Sequence, residues 1–349
     1  MKVNMQEKKK TIKRYRGFIK DGSILYEMLS DGEFEGFIKY DSLTGNQEIV
    51  SKVIIGDIEY LPPTGGLVRS GTIKLPTMTL EYGSDKSLYE AVKFFIHKYV
   101  DLPDDYLVLS SLYVLLSWLY DCFDVVPYLR VIGDFGTGKS RFLQAVGSIT
   151  YKACFAGGAT TVSPIFRIIE LYKGVTLVFD EADFRFSGPD AGITKILNCG
   201  YMKGMPVLRT EGDSKSREPK SFDVYGPKII ATRGSFEDTA LESRCLTQIM
   251  SGKPRKGIPR HLPKDFEEEA LELRNKLLKF RFDKYFNTTV DESEEMEKLD
   301  ARINQVALPI LSILDDEGVK EEVRRSLEKI QELFLKLFIK SFQFKFINS

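Results

Sequence analysis

A glycine-rich loop between an apolar strand and a helix constrains this chain more than any other feature of its sequence. The eight residues from Gly133 to Ser140 read GDFGTGKS and match the pattern G-x-x-x-x-G-K-[S/T] in full. The apolar stretch Tyr128–Ile132 predicts a strand before the loop, and Arg141–Val146 predicts a helix after it. This strand–loop–helix order is what the pattern requires of a phosphate-binding loop.

The residue types in the loop indicate which chemistry it would perform. Its glycines let consecutive backbone N–H groups turn toward one anion, and the helix N-terminus adds partial positive charge there. Lys139 would contact the β- and γ-phosphates, and the Ser140 hydroxyl would help to hold Mg²⁺. The alternative is a glycine-rich turn that binds nothing. The predicted ATP contacts are Gly133, Asp134, Phe135, Gly136, Thr137, Gly138, Lys139, Ser140 and Arg141.

A second motif supplies the carboxylates that such a loop needs. The apolar stretch Val175–Phe179 predicts a strand, and Asp180 and Glu181 follow it directly. We expect Asp180 to hold Mg²⁺ and Glu181 to orient the attacking water. An apolar strand ending in two acids is common by itself, but its position behind a complete phosphate-binding loop makes the pair specific.

Composition excludes several other classes of protein. The formal net charge of the 349 residues is zero, so there is no overall basic field, although a local basic groove stays possible. The four cysteines form no C-x-x-C pair, which excludes a zinc ribbon and favours reduced thiols in a cytoplasmic protein. The apolar run Tyr106–Tyr120 is shorter than a membrane span and predicts a buried helix, so no membrane partner is expected.

The patterning divides the chain into four regions. Residues 1–82 predict a small β-rich domain, 83–124 a helical linker region that packs on the core, 125–252 an alternating α/β core with a parallel sheet, and 253–349 a helical lid or oligomer region. In the core, Ser163 is the predicted N-cap of a helix. The role of residues 1–82 stays open. Their basic start is either a frayed, solvated segment or a contact with nucleic-acid phosphates.

Three further features of the core have competing interpretations. The stretches 205–210 and 220–225 predict a β-hairpin around a charged tip, which is either a solvated loop or a nucleic-acid contact. Thr232 ends an apolar strand where a γ-phosphate sensor would lie, or is simply a strand-end threonine. Arg244 either acts on a neighbouring subunit's γ-phosphate or pairs with Glu242 at the surface. The candidate nucleic-acid contacts of the hairpin are Arg209, Lys215, Arg217 and Lys220.

The order of these parts resembles the AAA+ ATPases. More narrowly, residues 164–250 look like the helicase-like ATPase domain of phage and plasmid primase–helicase proteins, in the superfamily 3 and minichromosome-maintenance group. The resemblance covers about a third of the chain. It is carried by PIFRIIE, TLVFDEAD, ILNCGY, VLR, GPKIIA and ALESRC, which begin at Pro164, Thr176, Ile196, Val207, Gly226 and Ala240.

The resemblance implies a P-loop AAA+ motor with ATP and Mg²⁺ that works as a ring, expected to be a hexamer, on single- or double-stranded DNA. The hairpin would grip DNA, Arg244 would act in trans, and Arg274 or Arg302 would sense the nucleotide from the lid. Thr232-Arg233 stands where many AAA+ proteins have asparagine, and no primase signature is present, so a primase would be a separate chain. The alternatives are an AAA+ loader acting on a protein partner and a monomeric P-loop kinase. DNA, RNA and protein substrates, and the polarity of translocation, are not distinguished.

Overall fold

The computed structural model of the protein describes residues 12–157, 160–180, 192–211, 218–236, 238–252 and 254–347. Within these ranges no helix is long and apolar enough to cross a membrane. The four cysteines are free thiols.

Short strands dominate the N-terminal part, as the sequence predicted. Four of them pair antiparallel in the order β2-β3-β4-β5, and β1 pairs in parallel with β7, which also pairs with β6. A one-turn helix, α1, follows them. The bounds are β1 (Ile12–Tyr15), β2 (Phe18–Asp21), β3 (Ile24–Ser30), β4 (Glu35–Asp41), β5 (Gln47–Val50), β6 (Val53–Ile55), β7 (Ile58–Leu61) and α1 (Gly66–Arg69).

Two helices then lead into the α/β core, where strands and helices alternate. Within the described ranges five strands form one parallel sheet in the order β14-β8-β13-β10-β9, and β11 and β12 form a separate antiparallel hairpin. The elements are α2 (Asp85–Tyr99), α3 (Asp104–Leu119), β8 (Tyr128–Ile132), α4 (Lys139–Ser148), β9 (Cys154–Ala156), α5 (Val162–Tyr172), β10 (Leu177–Phe179), α6 (Gly192–Cys199), β11 (Val207–Glu211), β12 (Glu218–Phe222), β13 (Lys228–Thr232), α7 (Thr239–Glu242) and β14 (Cys245–Ile249).

The two faces of the parallel sheet bury alternate residues of each strand, as period-2 side-chain geometry requires. On one face Leu129 and Val131 of β8 join the cluster that contains Phe142 of α4. On the other face Tyr128 joins the cluster of Ile165 of α5. The C-terminal helices add to the first cluster: α8 (Phe266–Lys284), α9 (Ala301–Leu311) and α10 (Glu317–Ile347).

Helix α3 is buried from Tyr106 to Leu119 against the α4 face of the sheet. Three of its aromatic side chains bond to sheet and loop backbone. The Tyr106 hydroxyl lies 2.7 Å from the Arg130 carbonyl oxygen, and the Tyr113 hydroxyl accepts a hydrogen bond from the backbone N–H of Lys228 at 2.8 Å. The Trp118 indole N–H donates to the Ile149 carbonyl at 3.0 Å. These bonds satisfy the polar groups of three buried aromatic side chains, whereas the buried Ser110 hydroxyl of α3 has no partner among the described residues.

A buried charge cluster joins the N-terminal strands to the core and to α8. The fully buried Arg281 of α8 donates to Glu27 of β3 at 2.5 Å and to both carboxylate oxygens of Asp121 at 2.7 and 2.8 Å. Lys152 lies 3.1 Å from the other Glu27 oxygen. Burial alone would raise the pKa of Asp121, but the Arg281 charge outweighs it and holds that pKa below its ordinary value.

Most of the predicted elements are confirmed. The strands predicted at Tyr128–Ile132 and Lys228–Thr232 form over those same residues. The predicted hairpin forms from β11 and β12. The predicted N-cap was wrong: Ser163 lies inside α5, and Thr161 is the N-cap. Proline at 164 is compatible with this earlier start, because the first N–H groups of a helix have no intrahelical acceptor. The domain boundaries stay a prediction.

We expect Arg281→Met to lower the free energy of unfolding by about 3–5 kcal/mol, because it leaves the Asp121 carboxylate without its partner and removes one of the two cations beside the buried Glu27. Urea unfolding followed by circular dichroism would measure the loss. The matched control is Lys276→Met on the same helix, whose partner Glu272 is exposed; its effect should stay below about 1 kcal/mol. Equal unfolding midpoints for the two variants would contradict the role given to Arg281.

Candidate nucleotide-binding site

The loop after β8 adopts the backbone that its glycines permit. Gly136 and Gly138 have φ values of 76° and 94°, in the left-handed region that side chains disfavour. A Cβ atom on Gly133 would lie 2.6 Å from the Met250 carbonyl oxygen, so only glycine fits without a shift. Gly138 caps α4, whose first residue is Lys139. The loop therefore presents the helix N-terminus and its own amides at the carboxyl edge of the sheet.

Lys139 is buried against the loop that precedes it. Its Nζ donates to the carbonyl oxygens of Gly133 and Asp134, each at 2.7 Å. Among the other predicted contacts, Asp134, Phe135, Gly136 and Ser140 are exposed. The Thr137 hydroxyl donates to the Asp134 carbonyl at 2.9 Å. The amine thus lies inside the curve of the loop, where the phosphate oxygens of a bound nucleotide would replace these carbonyl oxygens as its acceptors.

Two buried polar atoms face the same edge without a partner among the described residues: Oδ1 of Asp180 and Oγ1 of Thr232. Thr232 ends β13 beside the loop, since its carbonyl accepts from the Gly133 N–H at 3.2 Å. Asp180 follows β10 directly, and its N–H donates to the Ala156 carbonyl. Unsatisfied buried oxygens are costly in a protein that binds nothing. The Thr232 hydroxyl can donate to a phosphate oxygen, and the Asp180 carboxylate can bind a hard cation such as Mg²⁺.

Two residues were predicted to act with Asp180, namely Ser140 and Glu181, and the structure describes only the first of them. Ser140 lies in the first turn of α4. Glu181 lies outside the described residues, and its role in orienting water stays a prediction.

A cavity of about 510 Å³ adjoins the loop. Its lining combines loop residues Thr137 and Gly138 with apolar side chains and with two arginines, Arg141 and Arg260. Arg141 donates to the carbonyls of Pro259 and Arg260 at 2.8 and 3.0 Å, which fixes the segment after β14 over the cavity. The apolar part of the lining is Tyr99, Val100, Leu102, Pro103, Ile249, Met250, Pro254, Ile258 and Pro259. This size and chemistry suit an aromatic base whose phosphates reach the loop.

Arg244 lies at the opposite edge of the sheet from the loop. It precedes the first residue of β14, and its carbonyl accepts from the N–H of Tyr128 at the start of β8. From Arg244 to Met250, which lies level with Gly133, there are six residue steps, or about 20 Å at strand rise. The guanidinium therefore does not reach the loop of its own chain.

The alternative interpretation of Arg244, a surface pairing with Glu242, does not hold in the structure. Glu242 is bound instead by the buried Arg130, whose Nη1 donates to it at 2.9 Å. Arg244 donates to the Asn198 side-chain oxygen at 2.6 Å and stacks on the Tyr201 ring at 4.3 Å. Glu242 pairs with Arg130 because this guanidinium is fully buried and binds both oxygens of the carboxylate.

The LNCGY segment, residues 197–201, comprises the end of α6 and the turn after it, and it holds Arg244. Within it, Gly200 is fixed by close approach: an added Cβ would lie 2.5 Å from both Lys228 Nζ and the Val224 carbonyl oxygen. Lys228 donates to the carbonyls of Gly200, Val224 and Gly226 at 3.1, 3.0 and 2.8 Å. Burial lowers the Lys228 pKa to about 7. In the sequence the LNCGY segment served only as a marker of the resemblance, and the contacts of Asn198 and Tyr201 with Arg244 were not predicted.

The two candidate lid arginines lie away from the loop of their own chain. Arg274 is buried and donates to the carbonyls of Leu75 and Ser148. Burial lowers its pKa to about 10. Arg302 of α9 lies over the same Tyr201 ring as Arg244, at 5.5 Å. A lid role for either stays a prediction.

The hairpin arms present part of the predicted nucleic-acid contact. Arg209 stacks on Phe166 of α5 at 4.6 Å, and Lys220 pairs with Glu170 of the same helix at 2.8 Å. The tip, with Lys215 and Arg217, lies outside the described residues.

Known proteins resemble this chain only distantly. No protein-family model matches the chain, and no curated protein matches its sequence. The A form apo structure of the NrS-1 C-terminal region is similar at 11% identity over 87% of this chain and 72% of that one, with a TM-score of 0.35. The SCCmec type IV Cch structure, described as an active helicase, is 12% identical over 92% of this chain, with a TM-score of 0.43. This chain spans 59% of the Cch chain. Likenesses at these identities and TM-scores carry no argument about function.

We expect Gly200→Ala to lower the free energy of unfolding by about 1–3 kcal/mol, because the added methyl overpacks against backbone oxygens and the Lys228 amine. Thermal unfolding would measure it. Gly66→Ala is the matched control, since no atom lies within 4 Å of its added Cβ. If both variants melted at the wild-type temperature, the close approach at Gly200 would be wrong.

Proposed function

We propose that this chain is an ATP-hydrolysing AAA+ motor that assembles as a hexameric ring and translocates on DNA as a helicase. The observation that carries the ATPase part is the pair of unpartnered buried oxygens, Asp180 Oδ1 and Thr232 Oγ1, at the edge where the glycine-rich loop and α4 begin. A buried carboxylate, a buried hydroxyl and a lysine beside one phosphate loop form a site for a metal-bound triphosphate.

Each residue has a separate task in the proposed reaction. Lys139 and the loop amides bind the β- and γ-phosphates of ATP, and Thr232 donates to the γ-phosphate. Ser140 and Asp180 hold Mg²⁺, which neutralises charge on the phosphate oxygens when it is bound. Glu181 orients the water for in-line attack, and the products are ADP and phosphate.

The ring is part of the proposal because one chain lacks a complete site. Arg244 lies about 20 Å of strand rise from the loop of its own chain and is held at the far edge by Asn198 and Tyr201. A second copy could bring that edge against the first copy's loop, where a guanidinium in trans stabilises the transition-state charge. A monomeric kinase would not need Arg244.

DNA as the track is supported by the basic residues of the hairpin, which continue into the tip with Lys215 and Arg217. Phosphate contacts by such residues would bind nucleic acid without sequence preference. In an AAA+ loader that acts on a protein partner, the hairpin would not need to bind nucleic acid.

Lys139→Ala should lower kcat for ATP hydrolysis by about 100-fold or more, because it removes a charge that stabilises the transition state. Steady-state phosphate release, with and without single-stranded DNA, would measure this. Lys215→Ala/Arg217→Ala is the companion variant and should abolish only the stimulation by DNA. Hydrolysis unaffected by Lys139→Ala would contradict the site, and the absence of stimulation in the wild type would favour the loader.

Mixing two inactive variants tests the shared site. Arg244→Ala should lower kcat about 1,000-fold or more, and the Lys139→Ala chain can lend it an intact Arg244. An equal mixture should recover up to about a quarter of wild-type activity, since about one interface in four combines an intact loop with an intact arginine. A mixture as inactive as its parts, or an active monomer by mass photometry, would contradict the ring.

A further inference from the structure

A second cavity, of about 610 Å³, opens between β1 and the C-terminal end of α5. Helix α5 connects the carboxyl end of β9 to the start of β10, so its last turn lies at the amino edge of the sheet, away from the phosphate loop. The cavity is lined by residues 13–15 of β1, by Arg16 directly after the strand, by residues after β7 and by the last turns of α5. We call it the β1–α5 groove. Neither the motifs nor the proposed ATPase site accounts for it.

The groove is strongly basic. Lys13, Arg14, Arg16 and Arg167 line it, against one carboxylate, Glu170. Glu170 is itself occupied, because Lys220 binds it at 2.8 Å and Arg167 at 3.3 Å. Burial alone would raise the Glu170 pKa, but these two cations outweigh it and hold the pKa below its ordinary value, so the carboxylate stays ionised.

The cations of β1 are available to a ligand. Among the described residues, no carboxylate lies at ion-pair distance from Lys13 or Arg14. Glu59 faces Lys13 across the β1–β7 ladder, but Lys52 binds it at 2.7 Å. All four residues of β1 are exposed, and Tyr15 keeps 46% of its surface accessible. An exposed aromatic ring among unpaired cations can stack on a base while the cations contact phosphates.

The groove is preformed. The Gly17 N–H donates to the Leu171 carbonyl at 2.9 Å, and the Arg16 guanidinium donates to the Glu170 carbonyl at 2.8 Å. A Cβ on Gly17 would lie 2.7 Å from the Tyr172 carbonyl oxygen, so the chain after β1 packs directly on the end of α5. These contacts hold β1 beside α5 without a ligand.

We propose that the β1–α5 groove binds a segment of single-stranded nucleic acid, with Lys13, Arg14 and Arg167 on phosphates and Tyr15 stacked on a base. The inference rests on the proposed function and extends it from the hairpin to a second contact. The two surfaces are continuous: Lys220 of β12 reaches Glu170 in the groove, and Arg209 of β11 covers Phe166 on the same helix. A strand held by the hairpin arms would reach the groove along α5.

Fluorescence anisotropy of labelled oligothymidylate and oligouridylate tests this with the full chain, Mg²⁺ and a non-hydrolysable ATP analogue, over a range of salt. Lys13→Gln/Arg14→Gln should weaken binding about tenfold or more and lower the slope of log affinity against log salt by about 1.4, two phosphate contacts on a single strand. Lys298→Gln/Lys336→Gln removes the same charge from the exposed C-terminal region and should change neither value. Binding of either oligonucleotide, or of both, supports the groove when the β1 substitutions weaken it and the control does not.

Three further variants separate stacking and folding from charge. Tyr15→Ala should weaken binding at least about fivefold without changing the salt slope, and Tyr15→Phe should retain wild-type affinity, because stacking needs the ring alone. Arg167→Gln lies on α5 and should lower the salt slope by about 0.7 even if changes in β1 disturb the strand. Thermal unfolding identifies any variant that fails to fold.

Wild-type binding that all these variants retain would overturn the groove and leave the proposed motor intact. A wild-type chain that binds neither oligonucleotide would overturn both the groove and DNA translocation. Tighter binding of poly-L-glutamate than of either oligonucleotide would overturn the groove in favour of an acidic protein partner.

Discussion

The parallel register of the central sheet is the constraint on which the rest of the structure depends. Because β8, β13 and β10 run in the same direction, their carboxyl ends meet at one edge of the sheet. That edge carries the phosphate loop, Thr232 at the end of β13 and Asp180 directly after β10. The same register puts Arg244, which precedes β14, at the other edge. One sheet therefore separates the polar groups of the phosphate edge from the arginine. Under the proposed function, this separation is the physical reason for a second copy.

The register is held in place by groups buried on both sides of the sheet. On the α4 side the hydroxyls of α3 bond to strand backbone, and Arg281 joins α8 to β3 through Glu27. The N-terminal strands are consequently tied to the core by buried ionic contacts, which are costly to break one partner at a time. The β1–α5 groove is fixed separately, by the bonds of Gly17 and Arg16 to the end of α5.

Local patterns in the sequence predicted the phosphate loop, both central strands beside it and the hairpin, because glycine spacing and apolar runs act over a few residues. Patterns of this range could not predict contacts between distant residues. Glu27 and Arg281 meet across 254 positions, and nothing in either neighbourhood indicates the other. The alternative pairing of Arg244 with Glu242 fails for the same reason, since the two residues are close in sequence but the fold supplies Arg130 to Glu242 and Asn198 to Arg244. The N-cap of α5 was misassigned because Thr161 and Ser163 are both competent caps.

Lys228 connects the phosphate edge of the sheet with the edge at which Arg244 lies. Its amine bonds to Gly200, in the turn that holds Arg244, and to Val224 and Gly226, in the segment that returns from the hairpin. Its backbone begins β13, the strand that ends in Thr232 at the phosphate edge. Burial strengthens these bonds, because no water competes for the carbonyls. A displacement of Thr232 along the β13 axis would therefore move the Arg244 turn and the base of the hairpin together, since a five-residue strand buried on both faces cannot absorb it.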